Sequence, residues 1–144
     1  MIFCARRSIG CAVTQGNAAM NHKGFFDEMF ARVDALDARG FAACFTEGGV
    51  FRFGNNEPVA GRGRIEDFIR GFFGSIGGIS HQFENCWTLG ERAFGNGFVT
   101  YVRKDGSKLT VPWATISRFE EGKLAEYNAY VDASELFNPR NVSP

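Results

Sequence analysis

At 144 residues the chain has the size of one domain, long enough to bury a core without disulfides or metals to staple it. Sixteen Lys and Arg balance sixteen Asp and Glu, so there is no electrostatic case for nucleic acid or an anionic membrane as a partner. Four cysteines without a C-x-x-C pair, beside two histidines, argue against zinc, and sixteen phenylalanines point to an interior or a cavity wall built of flat rings.

Residues 1–20 carry Arg6 and Arg7 ahead of small residues ending at Ala18-Ala19, the outline of a signal peptide, while Ser8-Ile9-Gly10-Cys11 has the outline of a lipoprotein box. The apolar run is too short, and Thr14-Gln15-Gly16-Asn17 interrupts it. The plainer reading is a disordered leader, or translation that begins at Met20. Asn21 then caps a helix reaching about Leu36. Phe25, Phe26, Met29, Phe30, Val33 and Leu36 share one face, and Asp27, Glu28, Arg32 and Asp34 point elsewhere. Asp37 caps a short second helix, Ala38 to Phe45. Glu47-Gly48-Gly49 breaks it, and Val50 to Phe53 forms a first strand. Past the loop Gly54 to Pro58, Gly61-Arg62-Gly63 leads into a third helix, Ile65 to Phe73, striped by Ile65, Phe68, Ile69, Phe72 and Phe73. Gly61 to Arg64 lacks the strand context and the following Lys-Ser/Thr of a phosphate loop.

His81 to Thr88 is the next strand. Phe98 to Arg103, Leu109 to Phe119 and Leu124 to Val131 follow, joined at Lys104-Asp105-Gly106-Ser107 and Glu120-Glu121-Gly122-Lys123, where Gly supplies the positive φ of a tight hairpin. One turn over Ala133 to Phe137 and a polar tail, 138–144, close the chain. The reading is a single domain over 21–137: an α+β fold, with about three helices gathered on one face of an antiparallel meander of about five strands. No stretch is long enough to span a bilayer. Cys44 and Cys86 sit in apolar contexts and read as buried thiols of a reducing compartment, which points to the cytoplasm.

Three stretches resemble the nuclear transport factor 2-like superfamily, the cone-shaped α+β barrel. Val33 to Phe41 followed by Cys44 to Phe51 is similar to its first-helix-to-first-strand passage. Gly61 to Phe68 is similar to its entry into the third helix, and Ser117 to Leu124 with Glu126-Tyr127 and Asp132 to its terminal hairpin. The likeness covers about 22–137 and is nearest the SnoaL-like group of polyketide cyclases, ketosteroid isomerases and epoxide hydrolases. It implies a curved, mostly antiparallel sheet wrapped around a pocket; the chemistry has to be argued from the residues themselves. The isomerase acid and base positions fall at Met29, Phe53 and Thr115. The epoxide hydrolase carboxylates fall near Val99 and Ala129, with Phe51 and Phe53 in place of the helpers, so neither machinery is carried over. SnoaL-type cyclases rely on a His and an Asp, for which His81 and Asp132 are the candidates.

Alternate residues of a strand share a face, and the resemblance turns the odd positions inward. The expected ligand-binding lining is Phe30, Phe51, Phe53, Val99, Tyr101, Trp113, Thr115, Ser117, Tyr127 and Ala129. That composition suits a small, mostly apolar molecule oriented by a few hydrogen bonds, although the same side chains could simply fill the interior. His81, on a parity with Phe83, Asn85 and Trp87, would sit at the mouth, and imidazole changes protonation near neutral pH. A surface histidine at a strand start is the plainer alternative, as is a structural turn role for Asp132. The candidate catalytic groups are His81, Asp132 and Tyr101. Thr110, Ala114, Ile116, Leu124, Asn128 and Tyr130 would face away from the pocket and form the contact of a homodimer. The expected function is binding of a small apolar molecule, with no cofactor, either as an isomerase, cyclase or hydrolase or as a non-catalytic carrier, sensor or dimerisation module.

Overall fold

α1, His22–Asp34, starts where the Asn21 side chain accepts the Gly24 backbone N–H at 2.9 Å, relieving one of the donors every helix start leaves orphaned. The computed structural model describes residues 21–138; the leader reading and all but the first residue of the tail lie outside the described residues. Phe26, Met29, Phe30 and Val33 are buried, which is the predicted stripe. Asp37 caps α2, Ala38–Ala42, by accepting the Gly40 N–H at 2.9 Å.

α2 is shorter than the sequence suggests because Phe45 already opens β1, Phe45–Phe53. Glu47-Gly48-Gly49 is not a breaker. It lies within the strand, where the register shifts between Phe45 and Val50. A Cβ on Gly49 would stand 2.9 Å from the Leu124 carbonyl oxygen and 3.0 Å from the Phe45 ring, so glycine is what lets the bulge close on its neighbour. A two-residue strand, β2 at Val59–Ala60, precedes α3 at Arg62–Gly74, whose Ile65, Ile69 and Phe73 are buried.

The long meander follows as β3 Gly78–Leu89, β4 Arg92–Val102, β5 Lys108–Glu120 and β6 Lys123–Val131. The sheet order is β2-β1-β6-β5-β4-β3, with β1 beside β6 as the parallel pair. The result is a curved, unclosed six-stranded sheet with the helices against its inner side, where the aromatic core sits.

β4 begins six residues before the expected Phe98, and the glycines that hid it have a purpose. A Cβ on Gly97 would lie 1.9 Å from the Gln82 carbonyl oxygen, and one on Gly95 would lie 2.5 Å from the Phe83 ring. Both face the point where β3 shifts register between Phe83 and Asn85. That bulge corrects the expected parity. Trp87 does not share the inward side with His81 but is 50 % exposed. Leu124 is corrected as well. It is fully buried, because a second register shift, between Arg118 and Phe119, pairs it with Phe119 inside the core.

Candidate functional site

The inner face of the sheet carries the predicted lining. Phe51, Val99, Tyr101, Trp113, Thr115, Ser117 and Tyr127 are buried, as is Phe30 on α1, while Phe53 and Ala129 are partly buried against the same core. The deep part of the cone is filled with rings. Tyr127 stacks on Phe51 with centroids 5.8 Å apart, and Phe26 touches Phe30, Phe83, Phe119 and Tyr127. Aromatic side chains bury large areas and displace free space from where they meet. Space opens instead beyond the end of β6, as a cleft of about 470 Å³. Its apolar walls are Phe53, Phe68, Phe72, Val131, Leu136 and Phe137, with Asn55, Asn56, Asp132 and Ser134 as polar lining. Of the predicted lining, Phe53 borders it.

The roof of this cleft is held by Arg103. Its guanidinium donates to the Leu136 carbonyl at 2.8 Å and the Glu135 carbonyl at 3.0 Å, and on its other side to Ser107 Oγ at 3.0 Å. A planar fork of donors is suited to such a clasp in a way that a lysine ammonium is not. Asp132 is exposed at the rim, where its carboxylate accepts the Ser134 N–H at 3.0 Å.

His81 lies on β3 opposite Val99, and Tyr101, opposite Ile79, is the next inward residue along β4. Its ring stacks on Phe30 at 4.4 Å and meets the edge of Trp113 at 5.8 Å. Asp34, from the last turn of α1, holds it twice. Asp34 Oδ2 accepts the His81 backbone N–H at 3.1 Å, and Oδ1 accepts from Nδ1 at 2.8 Å. A carboxylate can only accept here, so Nδ1 carries the proton and a neutral ring leaves its lone pair on Nε2. The imidazole is 12 % exposed and the carboxylate 32 %. Asp34 lies off the apolar face of the first helix in the sequence reading, and the sequence holds no local signal for its role, since its partner is 47 residues off.

Two phenols and an indole complete the polar inventory. Burial pushes the Tyr101 and Tyr127 hydroxyls well above the ordinary phenol range, so both stay neutral donors. Tyr127 hydrogen-bonds to Thr115, whose hydroxyl is 3.3 Å from that of Ser117. Trp113 stacks on Phe83 at 5.5 Å and contacts Phe30 at 5.2 Å. Its Nε1 is buried and has no hydrogen-bond partner among the described residues. Across the sheet Trp113 pairs with Val131, a wall of the cleft.

A second groove, about 590 Å³, lies at the opposite end, between the β3–β4 and β5–β6 turns. His22 borders it, stacked on Phe119 at 4.3 Å with Nδ1 2.9 Å from the Thr88 hydroxyl. The two described thiols, Cys44 and Cys86, are free and partly buried, and burial raises both, Cys86 to about 11. Among the described residues no group of three or more His, Cys, Asp or Glu is placed to hold a metal. No helix there is long and apolar enough to cross a membrane.

This combination, a curved unclosed sheet with helices over a ring-filled inner face, is that of the nuclear transport factor 2-like cone. The SnoaL-like domain model matches residues 26–127, and the chain belongs to that family. No curated protein sequence matches it. Among solved structures it is similar to an NTF2-like protein of unknown function from Burkholderia pseudomallei, at 17% identity and TM-score 0.73, covering 83% of this chain and 96% of that one. A protein of ketosteroid isomerase-like fold from Catenulispora acidiphila, in complex with trimethylamine, is similar at 14% identity and TM-score 0.69 over 74% of this chain and 83% of that one. An epoxide hydrolase from M. tuberculosis, of the LEH-like kind, is similar at 11% identity and TM-score 0.67 over 79% and 84%. At these identities the likeness establishes the fold.

Proposed function

We propose that the protein binds a small, mostly apolar molecule within the cone and that His81, oriented by Asp34, moves a proton on it. That makes it a cofactor-independent isomerase, cyclase or hydrolase of the SnoaL-like kind. One observation carries the reading: a histidine fixed at two points by a carboxylate, its ring packed against Phe30 and Trp113. Asp34 fixes the tautomer, and Nε2 is left to take a proton from the bound molecule or from a water beside it. The surrounding rings exclude bulk solvent, which strengthens every polar interaction made there. Tyr101 is a neutral donor one inward step along β4 from Val99, the residue opposite His81, and Asp132 stands at the rim of the cleft. The packed aromatic depth of the cone favours the second reading, a carrier with no chemistry.

Labelled water separates the two. The molecule that co-purifies is identified by mass spectrometry and returned to the protein in D₂O or H₂¹⁸O. For an enzyme, label enters the molecule with the wild type, and His81→Gln slows this by about 100-fold or more, with a smaller loss in Asp34→Ala. Binding without label in either water leaves the carrier.

We also propose that two copies pair through the outer sheet face, in a reducing, cytoplasmic setting that suits the free thiols. Trp87, Phe94 and Ile116 form one cross-strand row on that face, and Phe98 and Pro112 form another. Trp87, Phe98 and Tyr130 are exposed. Large apolar side chains gathered on one open face favour burial against a like surface.

A further inference from the structure

We infer that the groove between the β3–β4 and β5–β6 turns is a second binding site, for a small organic ammonium: a protonated amine on an apolar body, giving an N–H to His22 and facing Glu91 and Glu121 with its charge. The site is separate from the proton-transfer reading above and uses none of the residues assigned there.

The groove measures about 590 Å³, the size of a small-molecule site. His22 is 5 % exposed and yet borders it. Nδ1 of His22 lies 2.9 Å from the Thr88 hydroxyl, and its Nε2 has no hydrogen-bond partner among the described residues. Trp113 Nε1 is the one fully buried side-chain nitrogen or oxygen there without a partner. The free Nε2 of His22 is therefore not sealed in the core, and it opens on the groove. Thr88 can accept from Nδ1–H, which leaves a lone pair on Nε2. Burial lowers the basicity of this ring, so near neutral pH it carries no charge that would repel a cation. Glu91 and Glu121, one on each turn, line the same groove, are exposed, and form no ion pair among the described residues. The cations around them are engaged: Arg118 with Glu120 at 2.6 Å, Arg92 with Glu126 at 3.9 Å, Lys23 with Asp27 at 2.8 Å, and Lys123 with the Ala43 carbonyl at 3.0 Å. Two full negative charges outweigh the roughly half a positive charge at the start of α1, so the groove prefers a cation. A bare metal ion finds no set of three or more His, Cys, Asp or Glu ligands among the described residues. An ammonium needs no such cage, because one N–H reaches the lone pair while its charge acts on the carboxylates across a longer gap. Phe119, stacked on His22 at 4.3 Å, gives the groove an aromatic wall for the apolar body.

The probes are 2-phenylethylammonium, its neutral counterpart 2-phenylethanol and the anion 3-phenylpropanoate. Each is titrated into ¹⁵N-labelled full-length protein in neutral buffer. The backbone amides of Gly90 and Gly122 report on the groove, and that of Gly54 reports on the cleft beyond β6. The ammonium is expected to move Gly90 and Gly122 while Gly54 stays, and to bind at least about fivefold tighter than the alcohol. The anion should move neither groove glycine. Glu91→Gln combined with Glu121→Gln, both at exposed positions, should bring the ammonium down to the alcohol's affinity and leave the alcohol unchanged. His22→Phe, which keeps a ring on Phe119, should weaken ammonium and alcohol alike, since each gives one hydrogen to Nε2. Equal affinity for the three probes, shifts centred on Gly54, or no binding of the ammonium overturns the inference. None of these results touches the reading of His81, which the labelled-water experiment tests. The comparison of probes on the wild type decides the matter even if the His22 variant does not fold.

Discussion

His22 shows how much a single buried ring can tie stability to pH. It is buried, and loss of hydration lowers its basicity below the ordinary histidine value of 6.5. The unfolded chain therefore takes up a proton more readily than the folded one as pH falls below 6.5, and stability is lost in that direction until the folded ring also titrates. Above 6.5 both states are neutral and the effect vanishes. The melting temperature of the wild type should accordingly fall between pH 7.5 and pH 5 by more than that of His22→Asn. Parallel curves for the two would show that His22 does not contribute. Residue types were the legible part at this scale. His81 could be singled out as an imidazole at a strand start, and the Asn21 and Asp37 caps from the residues after them. Asp34 could not, because helical spacing records which side of α1 is apolar and says nothing of a strand 47 residues away.

Elements were legible where turn chemistry is explicit and obscure where glycine works inside a strand. The hairpins at Gly106 and Gly122 have the positive φ that Asp-Gly and Glu-Gly announce. Gly49, Gly95 and Gly97 read as interruptions in the sequence, yet each serves a close approach of strand to strand. Gly97 is the sharpest case, and Gly97→Ala should cost about 3 kcal/mol in urea unfolding, since the new methyl collides with the rigid Gln82 carbonyl. Gly48→Ala, whose methyl meets nothing within 4 Å, serves as the control and should be tolerated. A loss under about 1 kcal/mol for Gly97→Ala would mean the bulge is not locked there.

At the scale of the whole molecule, element order carried the fold, because helix, short helix, strand, helix and meander leave few ways to cover one face of a sheet. The position of free space was not legible. Parity fixed which side chains point inward except past the bulges, where Trp87 and Leu124 turned the other way, but how completely the buried phenylalanines fill a cone depends on ring angles that no spacing encodes. Assembly belongs to this scale too. If the outer face pairs, a charge at its centre, Ile116→Lys, should convert a dimer to a monomer in sedimentation velocity while leaving the fold, by circular dichroism, intact. A wild type that sediments as a monomer at every concentration would dismiss the pairing. The register slip in β3 has one more consequence. By turning Trp87 outward while Trp113 stays within, it equips the protein with two natural chromophores in separate surroundings. If copies pair through the outer face and a ligand enters the cone, emission from Trp87 should follow the first event and emission from Trp113 the second, so a single sample can be read for both without any added dye.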